Sequence, residues 1–217
     1  MLFSEMQTDL GIILGDAADA TWPLTEKVSM LNIAYRNLLH ELYERTEYAM
    51  SSSTISVTAG TQKYNFAAGF FALRRVYIDN SGDLDIVDRD PGFTGDRGQP
   101  ARCWIEGAYK KIAAVESFAQ IGFWPIPDAA YTVNIDWFPA ADVLAADGDI
   151  CAIPVDFHDV VIQDAAIIAW TRKGHEAQAK TLYDEGRERK TLLIDACSRR
   201  SRYCSPRFVN VMGGEAE

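Results

Sequence analysis

A base beside an orienting acid often marks catalysis, and the chain offers one such pair, His158 and Asp159. Neighbouring residues on a helix do not face one another, so we expect a helix-surface pair rather than an acid–base couple. His40 and His175 stand alone on helical segments. No metalloprotease, nucleophile-elbow or phosphate-loop spacing occurs. Gly92, Gly95 and Gly98 neither follow a strand nor open a helix. Asp79, Asp83, Asp85, Asp88 and Asp90 approach the spacing of a calcium loop. Counted from Asp79, however, the position that demands glycine is Leu84, the last ligand is Asp90 where glutamate is required, and no helices flank the segment. With 31 acidic residues, a pair of carboxylates fit for glycoside hydrolysis is always available and carries no weight. Trp104, Tyr109, Trp124 and Trp137 could stack on sugars, yet such residues more often fill a β core or a subunit interface. These residues predict no enzyme, with no catalytic, cofactor-binding or metal-binding set and no cofactor.

The four cysteines, Cys103, Cys151, Cys197 and Cys204, include no C-x-x-C pair, which argues for free thiols of a reducing cytosol. The N-terminus lacks a basic, then apolar, leader pattern. No run approaches the ~20 apolar residues that span a bilayer. A formal charge of −10 excludes the basic footprint of a nucleic-acid reader. The charge is uneven. Residues 1–150 hold 21 acids and 11 bases, whereas residues 151–217 hold ten of each. Arg199, Arg200, Arg202 and Arg207 fall in a stretch without acids, alongside Tyr203, Phe208, Val209 and Val211. Arginine and aromatic residues are enriched at binding hot spots, so we expect Arg199, Arg200, Arg202, Tyr203, Arg207, Phe208 and Val209 to bind a partner.

The elements that would position these residues run helix, strand, helix. Ser4 to Leu14 predicts a short helix with Ser4 as cap and Gln7 completing a capping box. Thr21-Trp22-Pro23 opens a second helix, in which Leu24, Val28, Leu31, Tyr35, Leu38 and Leu42 form an apolar stripe. Lys27, Asn37, His40, Glu41 and Glu44 take the opposite face, and the helix ends near Tyr48. From Ser51 the period becomes two. Ile55 and Val57, a turn at Gly60, then Tyr64 and Phe66 predict a hairpin. Further strands are expected in 70–78, 102–106, 111–115, 119–124 and 131–137, with a loop over 90–100. Pro154 and the cap Asp156 open a third helix to about Lys173, apolar nearly all round and stopped by Gly174. Such a helix needs burial on several sides, so Val161, Ile162, Ile167, Ile168 and Trp170 are expected to meet neighbouring subunits. A fourth helix, Glu176 to Cys197, carries Ala179, Leu182, Tyr183, Gly186, Leu193 and Cys197 on one stripe.

The implied fold is α+β. Helices of residues 1–50 and 154–198 make a four-helix bundle, residues 51–153 form an inserted antiparallel β-sandwich or barrel, and 199–217 is an extended tail. Thr21-Trp22-Pro23 with Asn32, Tyr35 and Arg36, then Val57 to Tyr64, Leu73 to Ile78, Pro125 to Asp128 with Tyr131 and Trp137, and Pro154, Asp156, His158, Asp159 and Val161 follow one another along the chain. In this order the blocks resemble the head-to-tail adaptor, or connector, proteins of tailed bacteriophages. The resemblance implies a structural virion protein, made in the host cytoplasm and placed in the neck as a twelvefold homo-oligomeric ring. The ring would bind the portal protein above and a tail or neck protein below. The helices would build it, the C-terminal segment would reach into the portal, and DNA would pass without sequence-specific binding. The acidic body suits such a channel, since a like-charged wall does not hold DNA. The alternatives are another neck or tail completion protein such as a terminator, a cell-wall-degrading tail accessory enzyme, or a carbohydrate-binding module. No membrane partner is expected.

Overall fold

The computed structural model describes residues 1–16, 18–66, 69–79, 81–90, 92, 95–107, 110–112, 115–117 and 119–204, without the side chains of 110–117 and 199–204. Tyr109, Arg207, Phe208 and Val209 lie outside the described residues. Among the described residues the fold is α+β, with four α-helices and largely antiparallel sheets. It divides into two compact units, Met1–Tyr48 with Asp142–Glu217, and Ala49–Ala141.

The first unit holds α1 (Phe3–Ile13), α2 (Leu24–Arg45), α3 (His158–Arg172, preceded by a 3-10 turn at Val155–Phe157) and α4 (Glu176–Cys204). Helix α1 starts two residues earlier than Ser4 allows as a cap. Leu2 takes the cap position, and its N–H donates to the Glu5 carboxylate at 2.6 Å. Pro23 caps α2 from outside its first turn. The apolar stripe of α2 buries Leu31, Tyr35, Leu38 and Leu42, whereas Leu24 is exposed. Lys27, expected on the outer face, is buried because the loop before α2 folds over it. Its Nζ donates to the Asp16 carbonyl at 2.7 Å and to Asp19 Oδ1 at 2.5 Å. The Asp16 carboxylate in turn accepts the N–H groups of Ala20, Thr21 and Trp22.

Asp156 does not cap α3, since the 3-10 turn intervenes and Phe157 takes that position. Helix α4 runs on to Cys204, so Arg199, Arg200, Arg202 and Tyr203 have helical backbone instead of the extended one expected from Arg199 onward. Arginine favours helix almost as much as alanine does, and no glycine or proline interrupts before Pro206. Helix α4 meets α3 closely at Gly186, where a Cβ would stand 2.6 Å from Gln163 Oε1. Residues 142–153, which the sequence suggests as part of the inserted segment, are fastened to the helices. Asn32 Nδ2 donates to the Leu144 carbonyl, and the Leu144 N–H donates to Asn32 Oδ1, both at 2.8 Å. Phe3 N–H reaches the Asp149 carbonyl, and Tyr35 and Tyr48 hydroxyls bond the backbone of Ala152.

The second unit holds β1 (Ser51–Val57), β2 (Lys63–Asn65), β3 (Phe70–Ile78), β4 (Gly82–Asp83), β5 (Asp85–Ile86), β6 (Arg97–Gly98), β7 (Arg102–Glu106), β8 (Lys110–Ile112), β9 (Val115–Ser117), β10 (Gln120–Trp124), β11 (Ile126–Pro127) and β12 (Tyr131–Pro139). Two four-stranded sheets, ordered β1-β12-β3-β4 and β2-β10-β7-β5, contribute to one core that includes Val57, Phe66, Val76, Ile121, Phe123, Val133 and Ile135. Strands β1 and β2 therefore do not form the expected hairpin. Strand β1 pairs along its length with β12, Ile55 opposite Val133, while β2 pairs with β10. Gly60, at φ +79°, turns the chain from one sheet to the other, and its N–H is held by the Pro127 carbonyl. Two short pairings, β5 with β7 and β6 with β11, are parallel. Trp104 lies fully buried across the strand from Gly122, where a Cβ would stand 2.3 Å from its ring.

Two substitutions test this packing. Asn32→Leu leaves both backbone groups of Leu144 buried without partners. At roughly 1–3 kcal/mol for each unsatisfied group, unfolding in urea should shift to clearly lower concentration. Gly122→Ala forces Trp104 to move and should cost about 1–3 kcal/mol, read as a lowered melting temperature; an unchanged one would refute the close seat.

Candidate assembly surfaces

Helix α3 carries the residues expected at a subunit contact. The chain itself buries Val161 and Ile162, which are 0% and 3% exposed, so its own helices supply the cover that the expectation assigned to neighbouring copies. Ile167, Ile168 and Trp170 are half-buried. Trp170 stands edge-on to Trp22 at 6.3 Å and to His175 at 5.3 Å, and Lys173 Nζ lies 4.7 Å from the Trp22 ring centre. His158 is buried instead of lying on the surface, with Nε2 2.8 Å from the Ile153 carbonyl oxygen. Asp159 points elsewhere and pairs with Arg189 at 2.9 Å. No acid–base couple forms at this position.

Beside α3 runs a groove of about 330 Å³ between α2, α3 and α4, lined among others by Glu41, Arg45, Ile167, Tyr183, Arg187 and Lys190. At its base Lys190 Nζ bridges two carboxylates, Glu41 at 2.8 Å and Asp164 at 3.3 Å. Burial pushes the Asp164 carboxyl above its ordinary range, with Lys190 opposing that shift. Burial works against the Lys190 ammonium, yet hydrogen bonds and charge from Glu41 and Asp164 hold its pKa above the usual lysine value. Arg45 also pairs with Glu41, at 3.0 Å. Among the described residues Arg187 has no ion-pair partner.

Sequence reasoning missed several exposed apolar side chains. Tyr183 is 59% exposed, although the stripe of α4 placed it inward. Ile12 and Ile13 are 63% and 42% exposed on α1, and Val143, Ile150 and Val155 are exposed in and just after the segment that returns to the helices. A signal for the first pair was present. Ile12, Ile13 and Leu14 are three consecutive apolar residues, which point to more than one face of a short helix. The arginine-rich partner segment is described only as backbone, up to Cys204.

Within the acidic stretch Asp83 pairs with Arg75 and Asp85 with Arg102, Asp90 lies 3.8 Å from Lys63, and Asp79 accepts from Asn134. Among the described residues no three His, Cys, Asp or Glu side chains group as metal ligands. Trp104 is buried, and Trp137 packs on Phe66 and Phe70. Cys103 and Cys151 are free and buried, Cys197 is buried, and burial pushes the Cys103 thiol up to about 12, which makes it a poor nucleophile. Among the described residues no helix is long and apolar enough to cross a membrane.

The helical unit is gathered on one apolar helix and leaves apolar side chains exposed, Tyr183 at the charged groove and Ile12 and Ile13 on α1. The family described as SU10 adaptor protein matches residues 1–206, and the chain belongs to that family. It is a bacteriophage adaptor, the class its sequence blocks resemble. No curated protein matches the chain.

The Lys190 bridge gives a test with a sign. A raised carboxyl pKa means that the folded chain holds the Asp164 proton more readily than the unfolded one, so this group's contribution to stability falls as pH rises through the shifted range. Lys190→Met removes the cation that offsets that cost. It should destabilise the chain by about 1–3 kcal/mol at neutral pH. The loss should shrink near pH ~4 as Asp164 takes up its proton. Urea unfolding at both pH values checks this, and an equal loss at both would refute it.

Proposed function

We propose that the chain forms a ring beneath the portal, joins the DNA-filled capsid to the tail, and lets DNA pass through its centre. The observation that carries this reading is the family match over residues 1–206. In this reading the four helices act as a bundle that builds the ring. The inserted β unit is a sandwich facing the tail side. Ile167, Ile168 and Trp170 contribute to the contact between copies. Arg199, Arg200, Arg202 and Tyr203 at the end of α4, with Arg207, Phe208 and Val209 beyond, engage the portal. The protein resides in the virion neck.

Physical chemistry supports the division of labour. Residues 1–26 contain five acids and residues 140–159 another five, and neither stretch contains a lysine or arginine. The hydrogen bonds of Phe3 and Ser4 to the carbonyls of Asp149 and Asp147 bring these two stretches together. An acidic surface of this kind repels the DNA backbone, while an arginine-rich end suits an acidic or polar docking groove.

Light scattering and electron microscopy of the purified chain, alone and mixed with portal-bearing capsids, test the reading. Rings with a central hole are expected, free in solution or seated on the portal. Replacing Arg199, Arg200 and Arg202 by alanine should leave the chain folded and abolish its attachment to capsids. Attachment at the wild-type level would overturn the role given to the arginine end.

A further inference from the structure

The groove between α2, α3 and α4 and the outer face of α1 are complementary in shape class and in charge. The groove is concave and partly apolar, with Ile167 and Val160 in its wall, Tyr183 exposed at its rim, and Arg187 beside it as a cation without an ion-pair partner among the described residues. Helix α1 is convex. Its inner side buries Phe3, Met6 and Leu10, and its outer side exposes Ile12 and Ile13. Glu5, Asp9 and Ile12 follow one another at four and three residues, which sets them on one stripe of the helix. Neither α1 nor the rest of residues 1–26 contains a base.

Helix α1 contributes no residue to the groove in its own chain. The two surfaces are thus separate patches of one molecule. Two different, complementary patches on each copy make a heterologous contact, which propagates from copy to copy and closes into a ring when the rotation allows. An isologous dimer would need one patch complementary to itself, and neither of these is: one is acidic, and the other sets Arg45, Arg187 and Lys190 against Glu41 and Asp164, with Arg187 the base that no carboxylate pairs among the described residues.

We propose that the groove of one copy receives the outer face of α1 from a second copy. Ile12 and Ile13 lie against Ile167 and Tyr183, and Asp9 meets Arg187. This deepens the ring reading, on which it rests, by naming both halves of the contact between copies. The contact adds a desolvated Asp9–Arg187 pair to apolar burial. Such interfacial charge pairs contribute mainly to partner choice and register, so the contact weakens with salt and tolerates no like-charge substitution.

The test uses the full chain. Asp9 and Arg187 lie outside the buried core, so Asp9→Lys and Arg187→Glu should fold with unchanged melting temperature. Each alone should raise the concentration at which oligomers dissociate by about tenfold or more, measured by sedimentation velocity. The combined Asp9→Lys, Arg187→Glu chain restores the opposite-charge pair and should regain most of the loss. In a second measurement, the double variant Ile12→Cys, Tyr183→Cys should yield ladders of chains linked end to end on mild oxidation, and each single variant should not. Single reversals that assemble like wild type, or a combined variant no better than the singles, would overturn the pairing while leaving rings themselves standing. A wild-type chain that stays monomeric in solution overturns the pairing as well, and capsid attachment then decides the ring reading separately.

Discussion

The helical unit depends on the need to cover α3. Val160, Val161, Ile162, Ala165, Ala166 and Ala169 are all buried, and they occupy more than one side of the helix. A helix without a polar face is unstable in water and must be enclosed. Helices α1, α2 and α4 all pack on it, and each meets the demand with different chemistry. Helix α1 supplies Phe3, Met6 and Leu10, α2 supplies the leucine stripe, and α4 approaches closely because Gly186 has no side chain. The alanines of α3 matter as much as its larger residues, since their small size lets neighbouring backbones come near.

Polar groups are handled by pairing at the places where chain segments meet. Asn32 behaves like a piece of backbone, offering a donor and an acceptor to Leu144. Asp16 gathers three N–H groups that open the second helix, and Lys27 ties that loop down from beneath. Lys190 fastens α4 to both α2 and α3 through two carboxylates. Single substitutions at these groups should be felt as loosened junctions between elements.

This explains what could be read from the sequence. The order of helices and strands, the clean alternation of β12, the apolar character of α3 and the stop at Gly174 all follow from local periodicity, which survives into the fold. The buried Lys27 and His158 could not be read, because their burial depends on partners brought back by loops, Asp16 and Asp19 for Lys27 and Ile153 for His158. The separation of β1 and β2 into different sheets was also hidden. A turn at Gly60 is equally compatible with a hairpin, and only the competing partner β12, more than seventy residues downstream, decides against it. Of the expected contact residues on α3, Val161 and Ile162 became core, since periodicity reports that a residue is apolar without reporting which chain covers it. The exposed Ile12 and Tyr183 went unnoticed for the same reason.

Strands β1 and β12 open and close the β unit, and they lie side by side, Ser51 opposite Trp137. The chain thus leaves and returns at adjacent points. Closing such a gap takes only a short loop, and the entropy of closing a loop grows slowly with its length. A unit joined in this way can be lengthened, trimmed or exchanged with little effect on the register of the helices that flank it. An adaptor built like this can exchange its β unit by recombination within one segment, while the helical unit is inherited unchanged.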